Sequence, residues 1–172
     1  MNLFWVAQFF GILVIISNVI AMQINNRKRI LFCCVLANIF ASINFYLLKS
    51  YSGAIICLFA VFQTIINNIF EKKEKDVPKL LIAIYIMISI ILGSVTFNTY
   101  LDIMPIMCLI LFTIMILQKK ESNIRKIALI NIILWIVYDF SCKAYTEGIS
   151  DLITMIPIII GIYRFDIKNK KS

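Results

Sequence analysis

The basic residues of this chain fall almost entirely in every second gap between its apolar runs. Arg27, Lys28 and Arg29 follow the first run, and Lys72, Lys73, Lys75 and Lys79 follow the third. Lys119, Lys120, Arg125 and Lys126 follow the fifth, and Arg164, Lys168, Lys170 and Lys171 follow the last. The other gaps hold only Lys49 and Lys143. Lys and Arg beside membrane-crossing segments are kept mainly on the cytoplasmic side. A charge pattern that repeats every two runs is therefore what repeated crossing of a bilayer produces. It requires an odd number of crossings, with the N-terminus outside and the C-terminus cytoplasmic.

The apolar runs lie near 4–22, 30–48, 53–70, 80–97, 102–117, 126–142 and 149–164. A bilayer crossing takes about 20 residues as helix. Only 15% of the residues are charged, against about 25% in a soluble domain. These features predict an all-α polytopic membrane protein, one integral membrane domain with seven transmembrane helices and a short basic tail at 165–172. The first run is not expected to be a cleaved signal peptide, because no basic region precedes it and no small-residue cleavage site follows it. The net charge of +8 fits a cytoplasmic face set against anionic lipid, and nucleic acid is not an expected partner.

Three runs precede the charged break at Glu71–Lys79, three follow Pro105, and 80–97 lies between them as a nearly apolar linker. The flanking triplets carry related text. Asn44–Gly53 reads N-F-Y-L-L-K-S-Y-S-G, and Tyr138–Gly148 reads Y-D-F-S-C-K-A-Y-T-E-G. Gln23 and Gln118 precede corresponding basic loops. A single helix between them makes both triplets enter the bilayer in the same direction, so 4–70 and 102–164 are expected to be parallel repeats. This layout resembles that of the SWEET sugar facilitators and the PnuC vitamin transporters.

A more specific resemblance covers nearly the whole chain. The opening F-W-V-A-Q-F-F-G carries Trp5, Gln8 and Gly11; F-Y-L-L-K-S-Y-S-G-A closes the second run. I-M-P opens the fifth with Pro105, W-I-V-Y-D lies in the sixth, and Y-R-F spans Tyr163 to Phe165. In order and spacing these motifs resemble the YgjV family of bacterial inner-membrane proteins. That resemblance implies an inner-membrane location but brings little function. Asn44, Gln63 and Asp139 stand where a relative has His, Arg and Asn. If those positions line a shared site, the solute or its charge differs here.

Polar side chains within hydrocarbon require a partner or a water-lined path. Asn18, Asn38, Ser42, Gln63, Asn131 and Thr154 are the deep ones. Asn38 and Ser42 share a helix face, as do Gln63 with Asn67, and Asn131 with Trp135 and Asp139. Amides offer donors and acceptors without charge. Asn38, Gln63, Asn131 and Trp135 are therefore the candidate solute-binding residues near mid-membrane, with Trp135 stacking on the solute. The competing reading makes the amides interhelical hydrogen-bonding groups.

Asp139 lies about one turn, roughly 5 Å, from the outer end of its helix. Lys143 follows it by four residues, in the order that favours an ion pair. A surface ion pair and a role in coupling a cation or proton both remain open for Asp139. Pro157 breaks the hydrogen-bond ladder near the middle of the seventh run, which makes it a candidate hinge. Pro105, in a first turn, reads as a helix start.

The chain has no His and no glycine-rich phosphate loop, and its five cysteines form no C-x-x-C pair. No enzymatic activity, cofactor or metal is expected. The leading expectation is a small-solute facilitator or transporter of SWEET-like type for a neutral polar solute. Its expected partners are membrane lipid, an unidentified small molecule and, as a homo-oligomer, further copies of itself. The alternative is a non-transporting accessory or assembly protein.

Overall fold

The computed structural model describes residues 3–48, 51–73, 75–95, 100, 103–141 and 145–168. Seven α-helices follow one another: α1 (Leu3–Gln23), α2 (Arg27–Leu47), α3 (Tyr51–Lys72), α4 (Lys79–Val95), α5 (Ile103–Leu117), α6 (Glu121–Ser141) and α7 (Tyr145–Gly161). A π-helical turn, Ile162–Ile167, extends α7. There is no strand among the described residues.

Three helices, α2, α5 and α6, begin where local chemistry favours it. Asn26 caps α2, its side chain accepting from the Arg29 N–H at 3.2 Å, which satisfies one of the orphan donors of a first turn. Pro105 occupies the first turn of α5, where its missing N–H costs nothing. The sequence predicts a sixth helix near 126–142, but α6 begins at Glu121. Glu121 suits the positive pole of the helix and also accepts the Arg27 N–H at 3.1 Å. Arg125, expected in a loop, is thereby placed one turn inside α6. The segment expected as a loose tail from 165 is likewise helical through Ile167.

The main packing contacts run around a ring. α1 packs on α2, α2 on α3, α3 on α5, α5 on α6, α6 on α7, and α7 returns to α1. α4 packs chiefly on α5, with a smaller contact to α3. The outer faces are apolar. Trp5, Phe9, Ile12, Ile16 and Ile20 form an exposed stripe on α1, and Ile149, Ile153, Ile156 and Ile160 form another on α7. Continuous apolar stripes of this extent are a liability in water and are favourable against lipid. By length and composition, α1, α2 and Gly148–Ile167 can each cross a membrane; Ala54–Phe70, Lys79–Ser94 and Ile103–Leu117 are shorter apolar helices.

The tightest core lies at the basic end of the ring. Ala21 and Met22 of α1, Ile30 and Leu31 of α2, Ile116 of α5, Ile124 of α6 and Ile158 of α7 are buried together there. α1 and α7 approach closely at this level. A Cβ on Gly161 would lie 2.4 Å from the Met22 carbonyl oxygen, so only glycine fits.

Candidate functional site

Above this core, a cavity of about 540 Å³ lies inside the ring. Its lining comes from α1, α2, α5, α6 and α7, and so from both triplets. Met22, Cys34, Met115, Ala128 and Ile158 belong both to the lining and to the buried core, and close the cavity toward the basic end. Nearer the other end the lining carries Asn18, Asn38, Asn131, Trp135, Asp151 and Thr154.

The lining offers hydrogen-bond acceptors beside the amide and indole N–H donors of Asn18, Asn131 and Trp135. Asn38 sits on α2 and directs its Nδ2 to the Cys34 carbonyl of its own helix at 2.9 Å, which leaves Oδ1 to accept. The Asn131 Oδ1 on α6 is buried and has no hydrogen-bond partner among the described residues. Thr154 donates to the Ser150 carbonyl at 3.0 Å and keeps its lone pairs. Asp151 adds a carboxylate, and among the described residues the lining contains no Lys or Arg. Trp135 stands edge-on to Tyr138, ring centroids 5.9 Å apart. An apolar floor with a few convergent polar groups and one indole is the usual composition of a small-molecule pocket. This one suits a polar molecule, and the unmet Asn131 Oδ1 calls for a hydrogen-bond donor on it.

Of the four candidate binding residues, the structure brings Asn38, Asn131 and Trp135 to this cavity and leaves Gln63 out of it. Gln63 is 1% exposed and donates to Thr113 Oγ1 at 3.1 Å, joining α3 to α5. It lies on the α5-facing side of α3, and no described residue of α3 lines the cavity. Ser42 also serves a helix joint, donating to the Ala54 carbonyl at 3.1 Å. Asn44 donates to the Ala7 carbonyl at 3.1 Å, and Gly11 leaves room for it, since a Cβ there would lie 2.8 Å from the Asn44 Nδ2. Asn44 and Gln63 therefore do not line a shared site. The side chain of Asp139 and the whole of Lys143 lie outside the described residues. α7 runs through Pro157, whose carbonyl accepts from Gln23 Nε2 at 2.7 Å. The backbone irregularity comes later, in the π turn.

Two features stand outside the candidate residues named from the sequence. The first is Asp151, which lies one turn before Thr154 and so shares its helix face. The second is a buried ion pair at the basic end. Arg125 and Asp166 are 1% and 8% exposed, and the guanidinium meets both carboxylate oxygens, at 2.5 and 3.1 Å. Arg125 also donates to the Ile24 carbonyl at 3.4 Å and to the Asn25 Oδ1 at 3.3 Å. Paired this way across 41 residues, it ties α6, the α1–α2 connection and the π turn together. Nearby, Arg27 Nε donates to the Gln118 carbonyl at 2.5 Å and Nη2 to that of Ile116 at 3.2 Å, closing the carbonyl end of α5.

Residues 5–169 match the family model for YgjV, a bacterial inner membrane protein. The chain belongs to the YgjV family. No curated protein and no solved structure matches it. As a YgjV protein it is an inner-membrane protein, in keeping with its apolar helices and outward stripes. Its family motifs acquire physical roles here. Gly11 admits the Asn44 amide. Phe165 of the Y-R-F motif lies in cation–π range of two guanidinium groups, with the Arg125 and Arg164 Cζ atoms each 5.1 Å from its ring centroid, a contact that stabilises both.

Proposed function

We infer that this YgjV protein is a facilitator or transporter for a small, neutral polar solute that donates hydrogen bonds. The observation that carries this reading is the cavity of about 540 Å³ inside the helix ring, lined from both triplets and holding an unpartnered amide oxygen at Asn131. In this reading the seven helices all cross the membrane, with the N-terminus outside and the basic end cytoplasmic. The triplets α1–α3 and α5–α7 act as parallel repeats that rock against each other, and α4 links them. Packing of α1 on α2 and α2 on α3, and of α5 on α6 and α6 on α7, supports that division. Asn38 and Asn131 accept from the solute and Trp135 covers one of its faces. Passage to the cytoplasm requires the ties at the basic end to part, with Pro157 and the π turn as the bending points of α7. No cofactor takes part. Lipid, the solute and further copies of the chain are its partners.

Uptake of a labelled panel of sugars, vitamins and polar metabolites by vesicles containing the purified protein tests the reading. Asn131→Leu should abolish uptake of the transported compound while the protein still inserts at normal levels. Asn131→Cys and Asn38→Cys, in a background without the native cysteines, should react with a membrane-impermeant thiol reagent from outside. Uptake unaffected by Asn131→Leu, together with full protection of both cysteines, would overturn the reading and favour the non-transporting accessory role.

A further inference from the structure

A second cavity, of about 410 Å³, lies at the basic end outside the ring interior, between α3, α5 and the α3–α4 connection. Among the described residues its lining holds Arg27, Lys75 and Lys119 with the carboxylate of Asp76. The wall is fixed by specific bonds: Lys119 Nζ meets the Asp76 Oδ1 at 2.6 Å, and the Lys75 N–H donates to the Phe70 carbonyl at 3.0 Å. Arg27 covers the carbonyl end of α5 through Gln118 and Ile116. That end would otherwise present negative partial charge to anything bound here.

Asn67 of α3 lines the same cavity. It is 2% exposed, and neither its Nδ2 nor its Oδ1 has a hydrogen-bond partner among the described residues. A buried amide with both ends unpaired is costly to keep. A neighbouring group that both accepts and donates would remove the cost. Lys75 and Lys119, set against Asp76, favour a negative group beside the amide. We propose that this cavity binds a phosphate-type oxyanion carrying a hydroxyl, with Asn67 Nδ2 donating to an anionic oxygen, Asn67 Oδ1 accepting from the hydroxyl, and Lys75 and Lys119 supplying the charge. Two sources have this chemistry: hydrogen phosphate, and the phosphoglycerol headgroup of an anionic lipid. The site is separate from the central cavity, so its fate is independent of the transport reading.

The test is the unfolding midpoint of the full-length protein. In neutral detergent, inorganic phosphate is titrated against sulfate, which at neutral pH carries no hydroxyl and reports general salt effects. In a second arm, the protein is compared in phosphatidylglycerol and phosphatidylcholine vesicles. In at least one arm the midpoint should rise saturably with the phosphate-bearing component and not with its control. A rise in the first arm identifies the free ion and a rise in the second the lipid. Asn67→Leu should leave the ligand-free midpoint unchanged or higher, because it removes unpaired polar atoms, and should weaken the response at least tenfold. Lys75→Gln should weaken it severalfold. If Asn67→Leu does not fold, Asn67→Asp, which keeps the shape and repels an anion, should show the same loss. No response in either arm, an equal response to sulfate, or a full response in Asn67→Leu or Asn67→Asp would overturn the proposal.

Discussion

The two halves of the helix ring treat their polar groups differently. At the basic end, Arg125, Arg27, Gln23 and Glu121 all bond across helices, to Asp166, the carbonyls of α5, the Pro157 carbonyl and the Arg27 N–H. In the central cavity, Asn38 and Thr154 turn back to their own helices, and the Asn131 Oδ1 bonds to nothing. In surroundings of low dielectric an unmet hydrogen bond is expensive. The basic end is therefore a joint that holds helices together. The cavity keeps bonding capacity that only a molecule from outside can use.

Breaking the joint should give the largest effect. Asp166→Ala leaves a buried guanidinium without its carboxylate, which costs about 3–5 kcal/mol. Unfolding of the purified protein in detergent should show a large fall in midpoint. An Arg125→Met, Asp166→Leu double variant should recover most of it, since a well-packed apolar pair often replaces a buried ion pair without loss. If the double variant is as unstable as the single one, the stability resides in the packing of the π turn and not in the charges.

Gly161 offers the next effect down. A Cβ there would meet backbone, the Met22 carbonyl oxygen at 2.4 Å, whereas at Gly11 it would meet only the movable end of Asn44 at 2.8 Å. Gly161→Ala must push α1 from α7 and should cost about 1–3 kcal/mol, as overpacking does. Gly11→Ala should cost less, because Asn44 can swing aside. Equal midpoints for the two variants would show that the basic end is no more rigid than the other.

A smaller difference separates bonded amides from waiting ones. The Gln63–Thr113 bond joins α3 to α5, and a double-mutant cycle with Gln63→Leu and Thr113→Val should give a coupling of about 0.6 kcal/mol, typical for such bonds in membrane proteins. Asn131→Leu removes an oxygen that bonds to nothing and should leave stability unchanged or raised. A clear loss of stability in Asn131→Leu would mean that Asn131 is a structural residue after all.

The helices were legible because an apolar run bounded by charge needs no tertiary information. Predicted runs such as 102–117 and 4–22 fall on Ile103–Leu117 and Leu3–Gln23. What lay between runs was harder. Glu121–Lys126 has the composition of a loop in a hydropathy reading, yet Ile124, Ala128 and Ile132 repeat every four residues and are all buried. That period was the available sign that Arg125 belongs to a helix. Its partner Asp166 is 41 residues away, and no local pattern links them. Among the amides, period identified those sharing a face but not which neighbour the face meets. Asn131 and Gln63 thus looked alike, and packing alone separates the cavity side of α6 from the α5 side of α3.

The weakest expected effect contrasts the buried pair with an exposed one. Asp76 and Lys119 are both solvent-exposed, and the hydrogen bond and charge of Lys119 hold the Asp76 carboxyl below its ordinary 3.8. A carboxyl whose folded value is depressed binds its proton more readily in the unfolded chain. Its contribution is therefore complete well above pH 3.8 and is lost as the pH falls through the lowered folded value. Water and salt screen a pair this exposed, so the change should sit near the limit of detection. Unfolding midpoints of wild type and Asp76→Asn should converge as the pH falls from about 5 to about 3, and high salt should erase the difference at every pH. A difference that widens on acidification would reverse the sign of the linkage and exclude this pair as its source. A large acid loss that persists in Asp76→Asn would instead come from carboxylates elsewhere in the protein.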